Sequence, residues 1–197
     1  MPMSDQQALR RRLKQLRRAI DPQTAAHNQQ QVLERLRRHP WLLRARRVAA
    51  YVGNQGEIDP IPLLGTPELR EKKLYLPVLH PFRPGRLWFG RWRAGERLAP
   101  NRYGIPEPVR RGQQLRTARS LDLVIVPLLG FDQRCHRLGM GGGFYDRTFA
   151  FRNRHPQIRR PRLLGLAHSE QMIDELDRQP WDVQLDAVIT PATVYYR

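Results

Sequence analysis

The chain has 197 residues, a single cysteine and a formal charge of +17. One cysteine excludes an intramolecular disulfide and a cysteine-only zinc site, and a hydrophobic fraction of 40% excludes a disordered composition. No window approaches the ~20 apolar residues that span a bilayer, and the basic start lacks the apolar core of a secretory signal. These features predict a cytoplasmic protein with one α/β domain over residues 1–197, residues 1–39 forming a helical segment packed on it. Arginine dominates the charge: only Lys14, Lys72 and Lys73 are lysines. The basic residues are spread along the chain, with no RNA-binding aromatic signature or zinc-finger spacing. That reads as a solvated basic surface or attraction for small anionic substrates, and nucleic acid is not expected as a partner.

In chain order, Leu9, Leu13 and Leu16 recur at helical spacing between arginines. Asp21-Pro22 suits the start of a second helix, with Val32, Leu33 and Leu36 as its apolar face and an end before Pro40. Arg46–Val52 reads as a strand, followed by the loop GNQGEIDP and a short helical stretch, IPLLGTPELR. Lys72–Leu79 is the next strand, and Arg86–Trp92 a third, more solvent-exposed one. Gly95–Gly112 is rich in proline and glycine and reads mostly as loop. Leu121–Pro127 is continuously apolar, which suits a central strand covered on both faces. Arg162–Ala167 and Asp186–Pro191 are further buried strands. The alternation predicts a mostly parallel sheet with helices on both sides.

The central strand delivers the chain to RLGMGGGFYDR, Arg137–Arg147, and helical spacing resumes near Phe144. In open α/β sheets ligands bind beyond the carboxyl ends of strands. Glycines there let backbone N–H groups converge on an anion, and a following helix adds its own free N–H groups. Arg137 and Arg147 could neutralise phosphate oxygens, and Asp146 could meet a divalent cation bridging them. Neither the P-loop nor the dinucleotide fingerprint matches. On the residues alone the run is either a phosphate cradle or a turn that backbone geometry requires.

LVIVPLLGFDQRCHRLGMGGGFYDR resembles the signature of the 5-formyltetrahydrofolate cyclo-ligase family. Phe131-Asp132, Arg137-Leu138-Gly139, Gly141, Gly143 and Tyr145-Asp146 carry the match, and Phe144 replaces the first of the family's paired tyrosines. AYVGNQGEIDP, YGIPEP, LGLAHSEQ and WDVQLDAVIT extend the resemblance over nearly the whole chain. It implies a three-layer α/β sandwich of the NagB/RpiA/CoA-transferase-like type. It also implies ATP-dependent closure of 5-formyltetrahydrofolate to 5,10-methenyltetrahydrofolate, with magnesium, releasing ADP and phosphate. The alternative is a nucleotide- or nucleic-acid-binding protein without cyclo-ligase activity.

By the same resemblance, Arg10 and Lys14 reach the ATP phosphates from the first helix. The nucleotide loop runs through Arg137, Leu138, Gly139, Met140, Gly141, Gly142, Gly143, Phe144 and Tyr145, with Arg137 and Tyr145 at the reacting groups. Asp146 and Asp182 are the implied magnesium ligands. Glu57 is the implied pterin contact, with Val52, Tyr103, Gly104 and Ile105 lining the folate pocket. Gln171 either touches ligand or closes a turn, and Cys135, His136 and His168 have no catalytic role. The basic charge suits the polyglutamate tails of folates, with Arg83, Arg86 or Arg110 as candidate contacts.

Overall fold

The computed structural model describes residues 5–109 and 115–197; Arg110 lies outside them. Two helices lead, α1 (Asp5–Ala19) and α2 (Pro22–Arg38), followed by α3 (Pro40–Arg44). Asp21 starts α2 as expected: its carboxylate accepts the Thr24 N–H at 2.9 Å, satisfying one of the free donors of the first turn. The helix stops at His39, the residue before Pro40.

The sheet strands are β1 (Arg47–Ala49), β2 (Lys73–Leu79), β3 (Leu87–Trp92), β6 (Leu115–Arg116), β7 (Leu123–Val126), β10 (Arg162–Leu166), β11 (Ala187–Ile189) and β12 (Val194–Tyr196). Among the described residues they form one sheet in the order β12-β11-β10-β7-β1-β2-β3-β6. The pairs from β11 through β10, β7 and β1 to β2 are parallel; β3, β6 and β12 add antiparallel edges. Between β1 and β2 lies the short helix α4 (Ile61–Leu64).

β7 is buried at every position, as its unbroken apolar run requires. Its alternate residues serve two cores. Leu123 and Ile125 join Val32, Leu36 and Leu42 on one face, while Val124 and Val126 join Phe89, Phe131 and Phe149 on the other. The second face is covered by α5 (Phe144–Phe149) and α6 (Phe151–Arg154). The result is a sheet between two helical layers, a three-layer α/β sandwich.

Several elements depart from the sequence expectation. β3 is not exposed: Phe89 is 0% and Trp92 5% accessible. The Phe149 ring lies 6.1 Å from Phe89 on one side, and Pro108 presses on Gly90 from the other. The expected loop after Gly95 contains a small antiparallel hairpin, β4 (Leu98–Pro100) and β5 (Pro106–Pro108). In α1 the inward face is shifted, with Leu16 41% exposed and Arg17 only 3%. A carboxylate waits for Arg17 inside, so the charge can be buried where the leucine was expected.

Candidate active site

Beyond β7 the chain turns through a second small ribbon, β8 (Gly130–Phe131) against β9 (Arg137–Leu138). β9 runs straight into the glycines, and α5 starts directly after them. Gly141 and Gly143 have φ of +99° and +63°, a region that side chains disfavour. Gly139 is different. Its φ is not in that region, and a Cβ built there would meet nothing within 4 Å. Neither packing nor backbone geometry demands a glycine at that point, so the space in front of it is what the missing side chain preserves.

The loop forms one wall of a cleft of about 1310 Å³. Of the residues expected at the site, Arg10, Val52, Glu57, Tyr103, Gly104, Ile105, Asp182 and the whole run from Arg137 to Asp146 line it. Lys14 does not. Arg10 alone of that helical pair reaches the loop, its Nε donating to the Gly139 carbonyl at 3.1 Å. Tyr103 is exposed on the hairpin between β4 and β5, and its ring meets Phe144 edge-on at 5.7 Å.

Arg137 is paired inward. Its Nη2 donates to Asp146 Oδ1 at 2.6 Å, and its Nη1 donates to the Val183 carbonyl. Asp146 Oδ1 also accepts the Val183 N–H at 3.0 Å, which ties α5 to the residue beside Asp182. Asp182 Oδ2 accepts the Gln179 N–H at 2.8 Å and so closes a turn. Asp146 Oδ2 and Asp182 Oδ1 carry no protein partner among the described bonds. Among the described residues no cluster of three or more histidine, cysteine or acidic side chains could hold a metal. Asp146 and Asp182 both line the cleft, and carboxylate oxygens are the donors that magnesium takes, one or two from protein with phosphate and water oxygens completing its octahedron.

Glu57 sits across the cleft with its side chain 8% exposed. It pairs with Arg17, Nη1 to Oε1 at 3.2 Å, and its Oε2 accepts the Asn54 N–H at 3.2 Å. Burial pushes its carboxyl above the usual range, although Arg17 pulls it back. Tyr145 lines the cleft within electrostatic reach of both Glu57 and Arg137. Burial first, and Glu57 second, hold its phenol well above the ordinary tyrosine value. The hydroxyl therefore stays protonated at neutral pH and acts as a hydrogen-bond donor.

Several residues in and around the cleft have partners that the sequence does not specify. Arg17 falls seven residues from Arg10, on the same helical face, and that spacing was the available signal. Glu107 accepts from Leu79 N at 2.9 Å and Asn101 Nδ2 at 2.8 Å, holding the β4–β5 hairpin to the end of β2. Arg147 donates to the Gly85 carbonyl at 2.9 Å and to the Gly142 carbonyl, bracing the glycine turn. Gln171 closes a turn: its amide donates to the Leu129 carbonyl at 2.9 Å and its Oε1 accepts the His168 N–H at 2.9 Å. His136, set aside from sequence, lines the cleft.

The sequence profile of the 5-formyltetrahydrofolate cyclo-ligase family matches residues 2–191. The chain belongs to that family. The 5-formyltetrahydrofolate cyclo-ligase of Escherichia coli K12 is 37% identical, over 93% of this chain and 98% of its own length. The Haemophilus influenzae cyclo-ligase is 38% identical over 72% of this chain and 73% of its own. The NMR structure of Aquifex aeolicus 5,10-methenyltetrahydrofolate synthetase aligns with a TM-score of 0.80 at 27% identity, covering 97% of this chain and 92% of that one. A 5,10-methenyltetrahydrofolate synthetase from Mycoplasma pneumoniae shares the fold, with a TM-score of 0.69 at 23% identity. In this cyclo-ligase family member the glycine loop, Glu57 and the β4–β5 hairpin therefore face one another across a single cleft.

Proposed function

We propose that the protein closes 5-formyltetrahydrofolate to 5,10-methenyltetrahydrofolate at the expense of ATP. The observation that carries this reading is the convergence of two unlike half-sites on Tyr145. One is the glycine loop with Arg10 laid against it, suited to phosphates. The other is Glu57 with Val52 and Tyr103, suited to a flat ring bearing N–H donors.

In the first step the formyl oxygen attacks the γ-phosphorus and ADP leaves. In the second, N10 attacks the formyl carbon, phosphate departs with the former formyl oxygen, and N10 gives up its proton. Phosphorylation turns a poor leaving group into a good one, so the protein's task is positioning and charge stabilisation. The loop N–H groups and Arg10 hold the phosphates. Arg137, already aimed at Asp146, stabilises the transferred charge, and the protonated Tyr145 donates to an oxygen between the two substrates. Glu57 accepts from the pterin and sets its orientation. Asp146 and Asp182 would hold magnesium, which neutralises the phosphate charge when bound.

The basic surface suits folates with polyglutamate tails, for which Arg83 and Arg86, on the turn between β2 and β3, are candidate contacts. Equal KM values for mono- and pentaglutamate substrates at low and high salt would remove that extension. No described helix is long and apolar enough to cross a membrane, and a cytoplasmic location suits an ATP-consuming enzyme with a free buried cysteine. The direct test mixes the protein with 5-formyltetrahydrofolate, ATP and magnesium and follows the methenyl product by near-ultraviolet absorbance. ATP-dependent product is the expected result; none, from protein that is folded, refutes the assignment.

A further inference from the structure

Asp132 is 1% exposed, and its carboxylate is fully engaged. Oδ1 accepts the N–H groups of Arg134 and His136, each at 3.0 Å. Oδ2 accepts the Leu176 N–H at 3.3 Å and lies 2.9 Å from His136 Nδ1. The carboxylate accepts, so Nδ1 carries a proton. In the neutral imidazole Nε2 is then the acceptor, and it has no protein partner among the described bonds. Capping of the turn explains Asp132. It does not explain a histidine mounted on that acid at the wall of the cleft.

Position narrows what Nε2 can meet. His136 and Gly139 lie at opposite ends of β9, about 10 Å apart in extended chain. The folate half-site, with Glu57, Tyr103 and Glu107, belongs to the β1 and β4–β5 side. His136 lines the cleft together with the segment from Leu176 to Gln184; that segment is tied to the residues beside His136 by the Leu176 N–H on Asp132 and by Gln184 Nε2 on the Arg134 carbonyl. If the phosphates lie on the glycines, the remainder of the nucleotide extends by a comparable length. We infer that His136, held in one tautomer by Asp132, accepts a hydrogen bond from the nucleoside half of ATP. The inference rests on the reading of the loop as an ATP site.

The experiment compares ATP with tripolyphosphate, which carries the phosphates without the nucleoside. Dissociation constants are measured for the wild type and His136→Ala, alongside KM for the folate. The expected result is an affinity for ATP weakened about tenfold, the worth of one good hydrogen bond, with tripolyphosphate and folate unchanged. Unchanged ATP affinity overturns the inference, and so does equal weakening of ATP and tripolyphosphate, which would place His136 at the phosphates. A second measurement needs no variant. In ¹⁵N spectra of the wild type, the unprotonated Nε2 resonance should move on adding ATP and stay still with tripolyphosphate; the reverse overturns the inference. A wild type that binds ATP in this way yet forms no methenyl product would refute the proposed reaction and leave this contact standing. A wild type that binds no ATP would overturn both.

Discussion

Arg17 and Glu57, forty positions apart, form a buried pair at 3.2 Å with side chains 1% and 8% exposed. The pair joins the first helix to the loop after β1. It also makes the carboxylate proposed to face the folate depend on a residue that does not line the cleft. Taking one member of such a pair away leaves the other charged and unpaired inside the protein, at a cost of roughly 3 kcal/mol. Arg17→Met should therefore lower the urea midpoint substantially. Arg17→Met with Glu57→Gln should recover most of the loss, and a double variant no more stable than the single would show that the pair is not the cause.

The same pair sets a pH dependence. Burial raises the Glu57 carboxyl above its ordinary value of 4.5. The folded state then holds the proton more tightly than the unfolded chain. The stability from this group is fully present below 4.5 and is lost as pH rises through the folded value. In the proposed role the ionised form accepts from the pterin, so folate affinity should fall on acidification. In Arg17→Met that acid limb should move to higher pH, because the charge that lowers the carboxyl is gone. Folate KM measured across mildly acid to neutral pH checks it; an unmoved limb would detach Glu57 from folate binding.

Asp146 links Arg137 to the backbone of Val183. Asp146→Asn keeps an oxygen for the Val183 N–H but weakens both the cation ligand and the hold on Arg137. Turnover should fall by about a hundredfold or more, while folate KM stays near normal and the thermal midpoint shifts by only a few degrees. Turnover close to wild type in magnesium buffer would remove the metal role.

The two ends of the glycine run should respond differently. At Gly139 an added methyl meets nothing within 4 Å, so Gly139→Ala should melt like the wild type and yet bind ATP less tightly. Gly143 has φ +63° and Arg147 at 2.7 Å from a built Cβ. Gly143→Ala should lose roughly 1–2 kcal/mol of stability as well as activity. Paired melting curves and ATP titrations distinguish a glycine kept for the ligand from one kept for the turn.

Tyr103 is 56% exposed; its ring meets Phe144 edge-on at 5.7 Å and has the Arg102 guanidinium 5.0 Å from its centroid. Tyr103→Ala should leave the melting temperature almost unchanged and raise folate KM about fivefold to tenfold, the scale of one aromatic contact. An effect on ATP KM alone would move Tyr103 out of the folate half-site.

Local patterns carried most of the elements. The start of α2 was legible because Asp21-Pro22 is a short-range capping signal, and β7 because a run of Leu, Val and Ile between turns has few other stable uses. β12 was missed: three residues at an antiparallel edge carry too little periodicity to read. β3 reads from its sequence as more solvent-exposed because neither Phe149 nor Pro108, its covers, is near it in the chain.

By itself the sequence determined the alternation of elements, the glycine turn after the central strand and the resemblance that points to ATP and folate, because each resides in residues close together in the chain. Tertiary structure decided what charges do. It buried Arg17 in place of Leu16, left Lys14 off the cleft, turned Arg147 to brace the loop and mounted His136 on Asp132. The physical reason is common to all of them. A charged or polar side chain is settled by the partner it finds across the fold, and no period or local spacing encodes the partner.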